Sequence, residues 1–170
     1  MRFRHLALLA SACIPLLFLI PKGAHAVRQD NLILSSAVEG QILDHGKPVA
    51  GLKVQRTISW NMEDGVRSEF ASTNKEGRFK FPEVRGSADF GFLAKLFHVP
   101  AVAIDINLLE GSVKISLYSA SRSSYQEAVE TGYKVIQMVC DLKNREIYRD
   151  SIPIINCEVK RTKQMENRFE

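Results

Sequence analysis

Downstream of Ala26, the residues whose types suit chemistry are His45, His98, Cys140 and Cys157. A histidine acts as a general base only with a partner in hydrogen-bond reach. His45 stands in Asp44-His45-Gly46-Lys47-Pro48, where a solvated turn residue is the expectation. His98 sits between Phe97 and Val99-Pro100 and reads as a packed or loop histidine. There is no Gly-x-Ser-x-Gly elbow, no His-Glu-x-x-His and no phosphate-cradling glycine loop. Zinc needs about four ligands, and the two cysteines have neither a companion pair nor a nearby histidine. Asp44, Glu63, Asp64 and Glu76 lie in turns, where meeting at one end of the fold would suit calcium and solvation is the ordinary state. The expectation is therefore a non-enzyme with no catalytic residue, no metal ligands and no cofactor.

The cysteines point instead to structure. An even number in an exported chain favours one disulfide, with two buried free thiols as the alternative. Cys140 is in line with Ile136, Met138 and Leu142, and Cys157 with Ile155 and Val159, so both face apolar sides. Closing the loop between them would stabilise the fold by roughly 3 kcal/mol.

Export is read from the first residues. Arg2 and Arg4 precede an uncharged run from Leu6 to Ile20, broken by Pro15, and Ala24-His25-Ala26 supplies small residues for cleavage. This is the order of a secretory signal peptide. The apolar run falls short of the roughly 20 residues that span a bilayer, so a retained anchor is the second choice. Ala10-Ser11-Ala12-Cys13 resembles a lipoprotein cleavage site, against the simpler reading of Cys13 as a small apolar residue of the signal. The signal holds Arg2, Arg4 and Lys22 and no acidic residue, so the 23 Lys and Arg of the chain fall to 20 against 19 Asp and Glu. With no polybasic stripe, nucleic acid is not an expected partner. No later run is long enough to span a membrane. The expected location is the periplasm or the exterior.

The rest of the chain reads as short strands. Leu52, Val54, Ile58 and Trp60 alternate with Lys53, Gln55, Thr57 and Ser59, the period of a half-buried strand. Arg56 interrupts the apolar face and is expected at a sheet edge, stem packed and head in water. Ala37–Leu43, Val66–Thr73, Arg78–Phe81, Val102–Leu108 and a strand led by Val113, Ile115 and Leu117 follow the same logic. Phe90 to Phe97 suits a short helix or a plugging loop, Ser119 to Ser124 a polar loop, and Tyr125 to Glu130 a helical turn or two. Val135–Leu142, apolar on both faces, suits a central strand, and Ile152–Val159 the last one. The expected division is 1–26 signal peptide, 27–36 polar lead-in, 37–160 β-sandwich domain and 161–170 charged tail that frays.

Val38 to Phe81 resembles the carboxypeptidase regulatory-like, or transthyretin-like, β-sandwich family. The resemblance rests on Val38-Glu39-Gly40-Gln41-Ile42-Leu43-Asp44, on Gly46-Lys47-Pro48-Val49-Ala50-Gly51 and on Thr73-Asn74-Lys75-Glu76-Gly77-Arg78-Phe79. Val139-Cys140-Asp141-Leu142 and Asn156-Cys157-Glu158 are similar to a subgroup of small exported bacterial proteins, which implies the Cys140–Cys157 pairing. The resemblance implies an all-β fold, a single Greek-key (transthyretin-like) β-sandwich of about seven to eight strands, used as a non-catalytic binding or spacer module. The hydrolase that shares this architecture, 5-hydroxyisourate hydrolase, has a catalytic histidine where this chain has Gln41, and a Tyr-Arg-Gly-Ser ending where this one has Asn167-Arg168-Phe169-Glu170. The expected partner is a protein of the cell envelope, with an immunity-type inhibitor of a periplasm-delivered toxin as one version and an assembly module as the alternative. Trp60, Tyr118, Arg122 and Tyr125 are the candidate contact residues.

Overall fold

The computed structural model describes residues 26–91, 97–147 and 151–167. The signal-peptide reading, with Cys13, lies outside these residues save for Ala26, and so does most of the Phe90–Phe97 segment. The described chain is almost wholly β. In order it forms β1 (Val27–Ser35), β2 (Ala37–Asp44), β3 (Lys47–Pro48), β4 (Lys53–Trp60), β5 (Val66–Ser72), β6 (Arg78–Phe81) and β7 (Val84–Phe90). After these come β8 (Val102–Glu110), β9 (Val113–Arg122), β10 (Val135–Asp141), β11 (Arg145–Glu146), β12 (Ile154–Ile155), β13 (Glu158–Val159) and a short helix, α1 (Lys163–Glu166).

One sheet has the order β11-β12-β9-β8-β4-β5. The facing sheet has the order β13-β10-β2-β3, with β6 also beside β2, and β1 and β7 form a third, two-stranded sheet. β1 runs into β2 through Ser36 alone, and β6 into β7 through Pro82 and Glu83. Each pair is therefore one long strand bent at a corner, and the two bent strands stay antiparallel on both sides of it. This corrects the expected lead-in: residues 27–35 are a strand, and Leu32, Ile33 and Leu34 are buried.

The corner divides the interior in two. In the upper core Val38, Ile42, Phe79, Ile136 and Met138 pack on Val54, Ile106, Leu108 and Ile115. In the lower core Leu32, Leu34, Ala88 and Phe90 of the two-stranded β1–β7 arm pack on Ile58, Trp60, Val102 and Ile104. Alternating inward residues of β4 and β8 thus serve both cores. Each fully buried Val, Leu, Ile or Phe contributes roughly 1.5–3 kcal/mol before chain entropy is counted.

The chain's last third departs from expectation in three places. β10 is interior, between β2 and β13 and parallel to β2, but its outer face is not covered, and Val139 is exposed. The single strand expected over Ile152–Val159 is two short ones in opposite sheets. β12 lies beside β9 and β13 beside β10, so the chain crosses the sandwich at Asn156-Cys157. Cys157 is bonded there to Cys140. The tail does not simply fray: Lys160 and Thr162 donate backbone N–H groups to Gln137 O and Thr131 O, both at 3.0 Å, and α1 follows.

Candidate functional site

Arg56 lies near the middle of β4, which is paired on both sides, to β5 and to β8. Its alternation points it into the sandwich, between Val54 of the upper core and Ile58 of the lower. It is fully buried, which overturns the expectation of a head in water. Its Nη1 donates to Ser35 Oγ (3.2 Å) and Ser36 O (3.3 Å), and Nη2 to Pro82 O (2.7 Å), so the guanidinium binds both bent strands at the corner. Its Nε and Nη2 also bond Glu69 Oε2 of β5, the first at 2.9 Å. The cation lies 5.0 Å from the Phe81 ring centroid, an attraction that desolvation strengthens. A sharp bend leaves backbone carbonyls without ladder partners, and Arg56 supplies the donors.

A fully buried ion pair closes the same corner from the other side. Glu130 Oε1 accepts from Ser36 N (3.1 Å) and Arg122 Nη1 (2.9 Å), and its Oε2 from Ser36 Oγ (2.9 Å). Both charged side chains are 0% exposed. Arg122 also donates Nη2 to Gln126 O (2.5 Å) and Nε to Ser124 O (3.3 Å), which shapes the loop after β9. The result is a continuous chain of charge: Glu69, Arg56, the two serines, Glu130, Arg122. Burial pulls both guanidinium groups below their ordinary value, and Glu69 and Glu130 respectively oppose the shift.

Of the candidate contact residues, Tyr118 and Arg122 are buried, and Tyr125 is half-buried. A β-bulge turns the first two inward. Ile106 faces Tyr118 but Asn107 faces Ser116, so Leu117 is an extra residue in β9. A one-residue insertion reverses the faces of everything beyond it. Ile115 and Leu117 point inward before the bulge, and Tyr118 and Arg122 after it. The Tyr118 hydroxyl is pushed up to about 12, chiefly by burial and next by Glu130, with Arg161 and Arg122 opposing.

Trp60 is also buried, at the lower end of β4. Its indole N–H donates to Tyr125 Oη (3.0 Å), and Tyr125 Oη is 2.8 Å from His98 Nε2. Indole nitrogen can only donate, so the Tyr125 oxygen accepts from Trp60, and the sense of its bond with His98 Nε2 follows the imidazole tautomer. The Trp60 and Tyr125 rings meet edge to face at 6.1 Å, the Tyr125 and His98 rings stack at 6.0 Å, and Phe90 lies 4.8 Å from His98. Gly86 makes room: a Cβ there would come within 2.8 Å of the Trp60 ring and 2.9 Å of Leu34. Burial raises the Tyr125 hydroxyl, and the Trp60 bond opposes this.

This bracket underlies one end of the molecule. Asn61 N donates to Ala101 O (3.1 Å), and its side chain accepts from Ala101 N (3.2 Å) and donates to Val99 O (3.4 Å). The β4–β5 turn is thereby tied to the segment before β8. Phe97, Val99 and Met62 are 78%, 66% and 36% exposed there. Beside them an open cleft of about 510 Å³ runs between the arm and the turn, walled by Asp30, Glu63, Arg67 and Arg85 and floored by Trp60.

The remaining candidates have structural places. Asp141 caps the β2–β3 turn by accepting from His45 N and Gly46 N (both 2.9 Å) and from Lys143 N (3.1 Å). Burial would raise its pKa, but these bonds outweigh burial and hold it below the usual carboxylate range. His45 is exposed beside Asp44. The four turn carboxylates divide: Asp44 and Glu76 flank the upper core, and Glu63 and Asp64 follow Trp60 at the lower end. Among the described residues no three His, Cys, Asp or Glu side chains gather as a group able to hold a metal ion. No described helix is long and apolar enough to cross a membrane.

Fold and sites together define a small all-β sandwich with a buried ionic corner and an apolar end. Residues 38–145 match the model of a domain of unknown function (DUF6795), and the chain belongs to that family. No curated protein and no solved structure matches it. The matched span carries Arg56, Glu69, Arg122 and Glu130, whereas β1 and Cys157 lie outside it.

Proposed function

We propose that this chain is a non-catalytic binding protein, exported to the periplasm or envelope, and that it holds a protein partner at the Phe97 end. The carrying observation is the exposed apolar group Phe97, Val99 and Met62 on a base fixed by Asn61 and by the Trp60–Tyr125–His98 bracket. Large exposed apolar side chains gathered toward one end of a fold suit a contact site, and a rigid base lowers the ordering cost of binding. The ionisable groups inside the fold support this reading: Arg56 and Glu130 both bond Ser36, Glu130 bonds Arg122, and His98 Nε2 is engaged by Tyr125. The likeness to carboxypeptidase regulatory-like modules and the signal-like first 26 residues point the same way. An immunity-type inhibitor is one form of this function.

The test is capture from the host envelope with a C-terminally tagged chain, in parallel with a Phe97→Asp/Val99→Asp variant whose fold is checked by circular dichroism. One stoichiometric protein retained by the native chain and lost by the variant supports the reading. A partner held equally by both places the contact elsewhere. Turnover abolished by a single side-chain change would overturn the non-catalytic reading.

A further inference from the structure

The outer edge of the six-stranded sheet is β5, which among the described residues pairs only with β4. Its solvent face carries Val66 and Phe70, 60% and 55% exposed, on either side of Ser68. Its inward face carries Arg67 and Glu69, again on either side of Ser68. An open strand edge is a template for another strand. We propose that two copies of this chain pair antiparallel through β5, about a twofold axis at Ser68.

The charges select this arrangement. Inward-pointing charges at an edge ordinarily block pairing. Here they have opposite sign and straddle the axis, so each Arg67 faces the Glu69 of the other copy. On the outer face each Val66 then faces the other copy's Phe70, and Ser68 faces itself. The period of two forbids a slip by one residue, which would exchange the faces. A slip by two in one direction sets Arg67 against Arg67, and in the other Glu69 against Glu69. Like charges directly opposite are destabilising, so the neighbouring registers are disfavoured.

Partner atoms are also available. Both Arg56 bonds to Glu69 fall on Oε2. Arg67 uses Nε on Glu63 (2.7 Å) and Nη1 on Arg85 O (3.1 Å). Glu69 Oε1 and Arg67 Nη2 thus have no partner among the described residues, and the proposed axis brings them to opposite sides of the same edge. Arg67 also walls the cleft beside the Phe97 end, but the pairing uses none of Phe97, Val99 and Met62, so the dimer stands whether or not those three hold a partner.

The test combines sedimentation velocity with cysteine cross-linking of the mature chain. The native protein is expected to sediment as a concentration-dependent dimer. Arg67→Glu, which sets Glu against Glu69 twice, should weaken it at least about tenfold, and Phe70→Ser should weaken it as well. Residues directly opposite in such a pair are about 4.5–5.5 Å apart at Cα, within disulfide range. Ser68→Cys should therefore form a covalent dimer under mild oxidation, and Ser72→Cys should not. A native chain that stays monomeric at every concentration overturns the proposal. So does a dimer unchanged by Arg67→Glu, or Ser68→Cys cross-linking no faster than Ser72→Cys.

Discussion

The two cores of this sandwich are closed by different means. The upper one is apolar but for the Tyr118 hydroxyl, clamped by the Cys140–Cys157 bond where the chain changes sheets, and capped by Asp141 on the β2–β3 turn. The lower one is sealed by polar groups: the Arg56–Glu130–Arg122 corner above it and the Trp60–Tyr125–His98 bracket within it. Disulfide and apolar closure depend on packing geometry. A buried ionic chain depends on pairing as well, because each member left without its partner carries a desolvation cost. The lower half, which carries the exposed Phe97 end, is the one bound by that added condition.

Breaking the polar seal should have the largest effect. Glu130→Ala leaves Arg122 buried without its carboxylate and orphans both Ser36 donors, with an expected loss of about 3–5 kcal/mol in denaturant unfolding. Hydrogen exchange should rise first in β1 and β7. Removing the clamp should cost about 3 kcal/mol: a Cys140→Ala/Cys157→Ala chain should lose protection first in β10 and β13, with the lower half retained. Tyr125→Phe removes the acceptor for Trp60 and the hydroxyl partner of His98, for an expected loss of about 1–3 kcal/mol. Trp60 fluorescence should shift while the upper half stays protected.

The smallest effect is a pH dependence. Asp141 is held below the usual carboxylate range, so its contribution is complete above that range and is lost as the pH falls through it, below about pH 4. Asp141→Asn should flatten that part of the stability profile. In the alkaline limb, absorbance titration should find Tyr118 ionising only near 12, above the ordinary value of 10.

Most of the strands were legible from a period of two, and the Cys140–Cys157 bond from an even count in an apolar context. What stayed hidden has physical causes. A bulge has no residue signature of its own, so the alternation led by Ile115 and Leu117 gives no sign that Tyr118 and Arg122 also face inward. Arg56 obeyed the alternation, but an unpaired arginine suggests an edge. Only the fold shows that Ser35, Ser36, Pro82 and Glu69 surround it. The arm was missed because Arg28, Gln29, Asp30 and Asn31 are polar, although Leu32, Ile33 and Leu34 follow directly. Trp60 ends the apolar alternation of β4, but its tie to His98 through Tyr125 spans segments no motif links.

The central claim, that the Phe97 end is a protein-contact surface, is tested most directly by photocrosslinking in the native envelope. A photoreactive phenylalanine analogue would replace Phe97 in one strain and Val139, exposed on the outer face of the other sheet, in a second. The account predicts one discrete cross-linked protein from position 97 and none from 139. No adduct at 97, or the same adducts from both positions, would contradict it.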